Sequence, residues 1–155
     1  MNEAFMREAI ALSTANMETG EGGPFGAVVV KNGEIIGRGW NRVTSSNDPT
    51  AHAEVIAIRD ACAKFGTFDL SGCEIYASCE PCPMCLSAIY WARLDKLYFA
   101  AGREDAARAG FDDEWIYREV SKPWNNRELP AEQMLADEAR KAFDIWKDKK
   151  DRTDY

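Results

Sequence analysis

The chain has 155 residues, 46% of them hydrophobic and 29% charged, a balance that excludes collagen, coiled coil and intrinsic disorder. Its 26 acidic and 19 basic side chains leave a formal charge of −7. A general positive field for gripping polyanions is therefore missing, and nucleic acid is not expected as a partner. A body of this length buries about 70% of its unfolded surface, enough for one core, and with no repeat or linker in sight a single domain over residues 1–155 is expected.

The stretch from Met1 to Glu8 lacks a basic segment followed by an apolar block. No apolar run approaches the roughly 18 residues of a membrane span either, so a cytoplasmic protein without membrane contact is expected. Between residues 3 and 18, Met6, Ala9, Ile10 and Met17 recur at helical spacing. Gly20 to Pro24 ends that helix. Ala27-Val28-Val29-Val30 and the run from Ile35 to Trp40 flank Asn32-Gly33, whose residues accept the positive φ of a two-residue hairpin turn, so an antiparallel pair is expected. The Thr-, Ser- and Asn-rich segment Val43–Thr50 reads as a loop.

A second helix is expected to begin near Ala51 to Ala53, with Val55, Ile58, Cys62 and Phe65 on one face. Cys73, Ile75 and Ala77 alternate with Glu74, Tyr76 and Ser78, which marks a strand. Cys82 to Trp91 reads as a helix and Lys96 to Ala100 as another strand. Strands alternating with helices favour crossover connections and a sheet between helical layers. Past Gly102 the pattern is short helices and loops. Leu135, Ala139, Ala142, Phe143 and Trp146 then mark a long amphipathic helix after Pro130, followed by a charged tail.

Cys79, Cys82 and Cys85 crowd into seven positions, which suits metal or redox chemistry better than a disulfide framework. Cys62 and Cys73 read as buried, inert thiols. His52-Ala53-Glu54 opens one expected helix and Pro81-Cys82-Pro83-Met84-Cys85 opens another, giving H-x-E and P-C-x-x-C, the pattern of zinc-dependent nucleobase deaminases. Cys82 and Cys85 fall on one face, and the positive end of a helix favours the thiolates that zinc requires. One imidazole and two sulfurs make three ligands, so a catalytic zinc would keep a fourth position for water, with Glu54 beside it as proton shuttle. A closed structural site recruiting Cys73 or Cys79 as fourth ligand is the non-enzymatic alternative.

Asn47 to Glu54 and Ser78 to Cys85, together with Gly22 to Val28 and Gly110 to Tyr117, resemble the cytidine-deaminase-like superfamily and within it the bacterial guanine deaminases. The likeness is read over about residues 1–122 and fades between Pro123 and Lys147. It implies a three-layer α/β/α fold around a central mixed β-sheet, one zinc per chain held by His52, Cys82 and Cys85, and Glu54 as proton shuttle. It further implies that Asn41 hydrogen-bonds a purine, that Phe25, Ala53 and Trp91 line the pocket, and that Asp113 engages the substrate's amino group and assists proton transfer. The implied reaction of purine catabolism or salvage is attack at C2 of guanine, giving xanthine and ammonia. Guanosine, cytosine and transfer-RNA adenosine are the alternative substrates. A homodimer is also implied, with residues from about 130 to 155 exchanged or forming a lid, and Tyr155 a lid residue on the substrate.

Overall fold

A computed structural model describes residues 2–155, so Met1 lies outside it. Helix α1 (Glu3–Glu18) leads into a hairpin of β1 (Gly26–Lys31) and β2 (Glu34–Trp40), then a single turn α2 (Val43–Ser46) and α3 (Ala53–Phe65). The chain continues through β3 (Cys73–Cys79), α4 (Pro83–Trp91), β4 (Lys96–Ala101), α5 (Arg103–Arg108), α6 (Asp113–Ser121) and α7 (Ala136–Asp148), with a 3₁₀ turn at Trp124–Asn126.

The strands form one sheet in the order β2-β1-β3-β4. β1 runs antiparallel to both neighbours, while β3 and β4 are parallel and joined across α4, so the sheet is mixed as the resemblance implies. Asn32 and Gly33 both take positive φ, 51° and 81°, and close the hairpin with Lys31 opposite Glu34.

Alternation sorts β1 between two faces. Val28 and Val30, with Tyr76, meet Phe5, Met6 and Leu12 of α1 on one side. Ala27 and Val29, with Ile75 and Ala77, meet Ala53, Ala57 and Ala61 of α3 and Ile89 of α4 on the other. The result is helix, sheet, helix. The small residues of α3 matter because β2 approaches them closely: a Cβ added at Gly39 would stand 2.1 Å from the Ala53 carbonyl oxygen, and one at Gly37 2.4 Å from that of Ala57.

Four sequence expectations need correction. Residues 43–46 are not loop but one helical turn, held by the Ser45 and Ser46 hydroxyls donating to the Arg42 carbonyl and stopped by Asn47 at φ 51°. On α1, Ile10 and Met17 are exposed, and the buried positions are Ala9 and Ser13. β3 is buried along both faces, because helices cover the sheet on each side. Helix α7 forms where expected, yet none of its residues is buried: Ala142, Phe143 and Trp146 border only an open hollow shared with Trp91 and Tyr155.

Candidate active site

The site is built where two helices begin. His52 is the residue before α3 and Cys82 the residue before α4; both have extended backbone, and neither side chain caps its own helix. Both are thus free to point past the helix ends. Pro83 takes the first helical position of α4, where its missing N–H costs nothing. Cys85 follows one turn later, fully buried.

His52 Nδ1 lies 3.6 Å from Cys82 Sγ and 3.5 Å from Cys85 Sγ. Nitrogen and sulfur ligands on a tetrahedral zinc, with bonds of about 2.0–2.1 and 2.3 Å, stand about 3.5 Å apart. The donor set therefore fits zinc in type and in spacing. Among the described residues no fourth His, Cys, Asp or Glu joins the group. Cys73 sits in the core, and the Cys79 thiol donates to the Gly102 carbonyl, so neither closes the set. Burial pushes both of those thiols up, Cys79 to about 11, and keeps them protonated.

Protons are divided unevenly between the ligands. The hydrogen bond from Cys85, with the His52 ring beside it, holds the Cys82 thiol down at about 4, while Cys85 is pushed up. The Cys82 contact in turn raises His52. Glu54 is only 7% exposed, and burial pushes its carboxyl above the usual range. Asp113, the first residue of α6, is raised by partial burial and then by the nearby Cys82. Two carboxyl groups so biased can each hold a proton and release it.

Phe25, His52, Glu54, Glu80, Cys82, Phe111 and Asp113 line one cavity of about 30 Å³. Phe25 and Phe111 meet edge to face with centroids 4.7 Å apart, and both also line a larger cavity of about 360 Å³ beside α1 and α5. Asn41 is buried next to Phe25, to whose carbonyl its own N–H donates. Its Oδ1 accepts from the amides of Gly23 at 3.1 Å and Val43 at 3.2 Å, which leaves the side-chain NH₂ as the group it can offer. Ala53 has its side chain in the core, but its N–H belongs to the unpaired first turn of α3.

Trp91 and Tyr155 lie elsewhere. Trp91 ends α4, about 13 Å along the helix from Cys82 at 1.5 Å per residue. It is 61% exposed and carries the Tyr155 ring 5.9 Å away, and neither residue lines the cavity at the zinc ligands. Glu80 and Phe111 escaped the sequence reading as cavity residues, although Glu80 adjoins Pro81-Cys82 and Phe111 belongs to the Gly110–Tyr117 stretch. Among the described residues no helix is long and apolar enough to cross a membrane.

Residues 1–101 match the family model described as the cytidine and deoxycytidylate deaminase zinc-binding region. The chain is 50% identical over 154 residues to the guanine deaminase of Bacillus subtilis (strain 168), covering 99% of both. The X-ray structure of guanine deaminase from Bacillus subtilis superposes with a TM-score of 0.96 at 51% identity, covering 100% of this chain and 99% of that one. Guanine deaminase from Nitrosomonas europaea gives 0.69 at 38% identity over 73% of this chain and 65% of its own. A tRNA-specific adenosine deaminase from Aquifex aeolicus is 44% identical over 99 residues, 64% of this chain and 65% of the relative. The likeness thus does not fade after residue 122, as the motifs alone suggested: with the Bacillus protein it runs through the C-terminal helix.

Proposed function

The chain belongs to the cytidine and deoxycytidylate deaminase zinc-binding family, and from that premise we infer that it hydrolyses guanine at C2, taking up one water and releasing xanthine and ammonia. The observation that carries this reading is the three-ligand group His52, Cys82 and Cys85 with the buried Glu54 carboxyl on the same cavity. Zinc held there supplies a Lewis acid and a water activated at neutral pH.

The chain's own residues do the rest. Glu54 takes a proton from the attacking water and passes protons on to the ring nitrogen and the departing amine. Asp113, across the cavity, faces the amino group at C2 and helps it leave as ammonia. Asn41, whose oxygen is already committed, can only donate, and the Ala53 N–H is a second donor. Two donors suit the 6-oxo and N7 acceptors of guanine and leave the amino group of adenine unmatched. Phe25 packs against the ring. That the Bacillus guanine deaminase matches nearly the whole chain, whereas the transfer-RNA deaminase matches about two thirds, supports the free base over a nucleic acid.

We further infer a cytoplasmic homodimer in which residues from about 130 to 155 reach across to the partner. Five unpaired thiols suit a reducing compartment. Supporting exchange are the exposed stripe of α7, with Phe143 73% exposed, and the absence of Trp91 and Tyr155 from the cavity at their own ligand group. Tyr155 would then lie near the partner's substrate.

Ammonia release from zinc-loaded protein given guanine, guanosine, adenine, cytosine or cytidine tests the substrate. Guanine alone is expected to turn over well. Cytosine or guanosine turned over in its place would overturn the assignment. For the assembly, chains bearing Glu54→Gln are mixed with chains lacking Tyr155. Exchange predicts a mixed dimer with one repaired site, and a monomer at micromolar concentration refutes it.

A further inference from the structure

We propose that Tyr117 is a positioning residue for the reaction: it fastens α6 to the loop that delivers Cys82 and so holds Asp113 at a fixed distance from the zinc ligands. The inference rests on the role given to Asp113 above.

Asp113 and Tyr117 are four residues apart on α6 and therefore lie one above the other on the same face. Asp113 borders the cavity. Tyr117, one turn along, donates its hydroxyl to the Pro81 carbonyl at 2.7 Å. Pro81 is fully buried and is the residue before Cys82. Among the described residues this is the one hydrogen bond from α6 to residues 80–82. A phenol has two rotatable bonds and a rigid ring, so it fixes a separation more firmly than a long flexible side chain would.

The surroundings keep that ring in place. The Arg103 guanidinium sits 4.5 Å over it and also reaches Glu80 at 3.3 Å, while the Arg103 amide donates to the second Glu80 oxygen at 3.1 Å. The Glu80 N–H in turn donates to the Ala101 carbonyl at 2.8 Å. Residues 80–82 are thus clasped from β4, α5 and α6 at once. The same Arg103 guanidinium reaches Glu114 of α6 at 3.8 Å, a longer and more exposed contact than the Tyr117 hydrogen bond. The one buried residue of α6, Glu119, pairs with Lys122 and takes the Glu128 amide, contacts within α6 and the segment that follows it. Misplacing a reacting group by about 1 Å can cost two orders of magnitude in rate.

Tyr117→Phe keeps the ring beneath Arg103 and removes the hydroxyl alone. Zinc per chain should stay at one and the melting temperature within a few degrees, while kcat for guanine falls about tenfold and KM changes by less than threefold. The decisive comparison adds Tyr117→Phe to Asp113→Asn. If Tyr117 acts through Asp113, the double variant turns over no more than about twofold slower than Asp113→Asn alone. A Tyr117→Phe enzyme with full kcat, or two losses that multiply, overturns the inference. Asp113→Asn at the wild-type rate overturns both the inference and the role of Asp113, whereas impaired Asp113→Asn with multiplying losses overturns Tyr117 alone.

Discussion

Of the glycines, Gly39 leaves the least room for a side chain and faces the start of α3 beside His52, which makes Gly39→Ala an informative change. A methyl there would stand 2.1 Å from the Ala53 carbonyl oxygen and 2.4 Å from the Ala57 nitrogen. Ordinary contact begins at 3.4 Å, so the first of these is short by about 1.3 Å. Both opposing atoms are backbone, and no side-chain rotation relieves the clash. Helix α3 must retreat, carrying His52 and Glu54 with it. Overpacking of this kind costs about 1–3 kcal/mol, and at this chain length each kcal/mol lowers the melting temperature by about 2–4 °C. A displacement near 1 Å at Glu54 is expected to reduce turnover about a hundredfold. Gly37→Ala provides the comparison, because its methyl meets the Ala57 oxygen at 2.4 Å and Ala61 at 2.9 Å, a turn further from the ligand end. Melting by circular dichroism, zinc per chain and initial rates on guanine should show similar loss of stability in both variants and a larger rate loss in Gly39→Ala. A Gly39→Ala enzyme with wild-type rate and zinc content would refute the claim that this contact sets the position of His52.

Glu54→Gln should lower kcat by about a hundredfold to ten-thousandfold while leaving zinc per chain at one. Because burial raises the Glu54 carboxyl above its unfolded value, its ionised form is disfavoured in the fold, and the variant's melting temperature at neutral pH should equal or exceed wild type. Zinc ties His52 to Cys82 across 30 residues of chain. Its removal by a chelator should abolish turnover and lower the melting temperature, since an ion that binds the folded ligand set and not the unfolded chain stabilises the fold by mass action. At acid pH, Asp48 is held below the ordinary carboxylate range by Thr50, Asp69 by Ser71 and Glu119 by Lys122. Asp60 is also held low: burial opposes its charge, but Lys64 and the Arg38 amide outweigh it. Such groups stabilise the fold above their unfolded values and lose that effect as pH falls through the folded ones. The melting temperature of chelated protein should therefore drop as pH falls below about 4. A flat profile from pH 5 to 2.5 would contradict these contacts.

What could be read from sequence was local. Asn32-Gly33 announces its turn because backbone conformation is decided within the dipeptide, and H-x-E with P-C-x-x-C announces a metal because the ligands sit at helix starts that the sequence marks. Other features arise only when distant segments meet. Ser45 and Ser46 looked like loop formers, yet in this setting they brace a helical turn on Arg42. On α1 the periodicity is real, but close packing on β1 leaves room for Ala9 and Ser13 rather than Ile10: a Cβ at Gly26 would fall 2.2 Å from the Ala9 oxygen. Tyr76 alternates like a solvent-facing residue and is instead stacked on Tyr98 with Phe5 at its edge, because α1 covers that face. Tyr117 bonds a carbonyl 36 positions away, which no spacing rule encodes.

The Phe25 and Phe111 pair has a further effect. The cavity on the ligand side, about 30 Å³, admits a water or two but not a bicyclic base, whereas ligand pockets ordinarily span about 300–1,000 Å³. Phe25 and Phe111 line both cavities, so the ring pair is the partition between the ligand side and the 360 Å³ hollow beside α1 and α5. A change of side chain at either ring would therefore alter both hollows together.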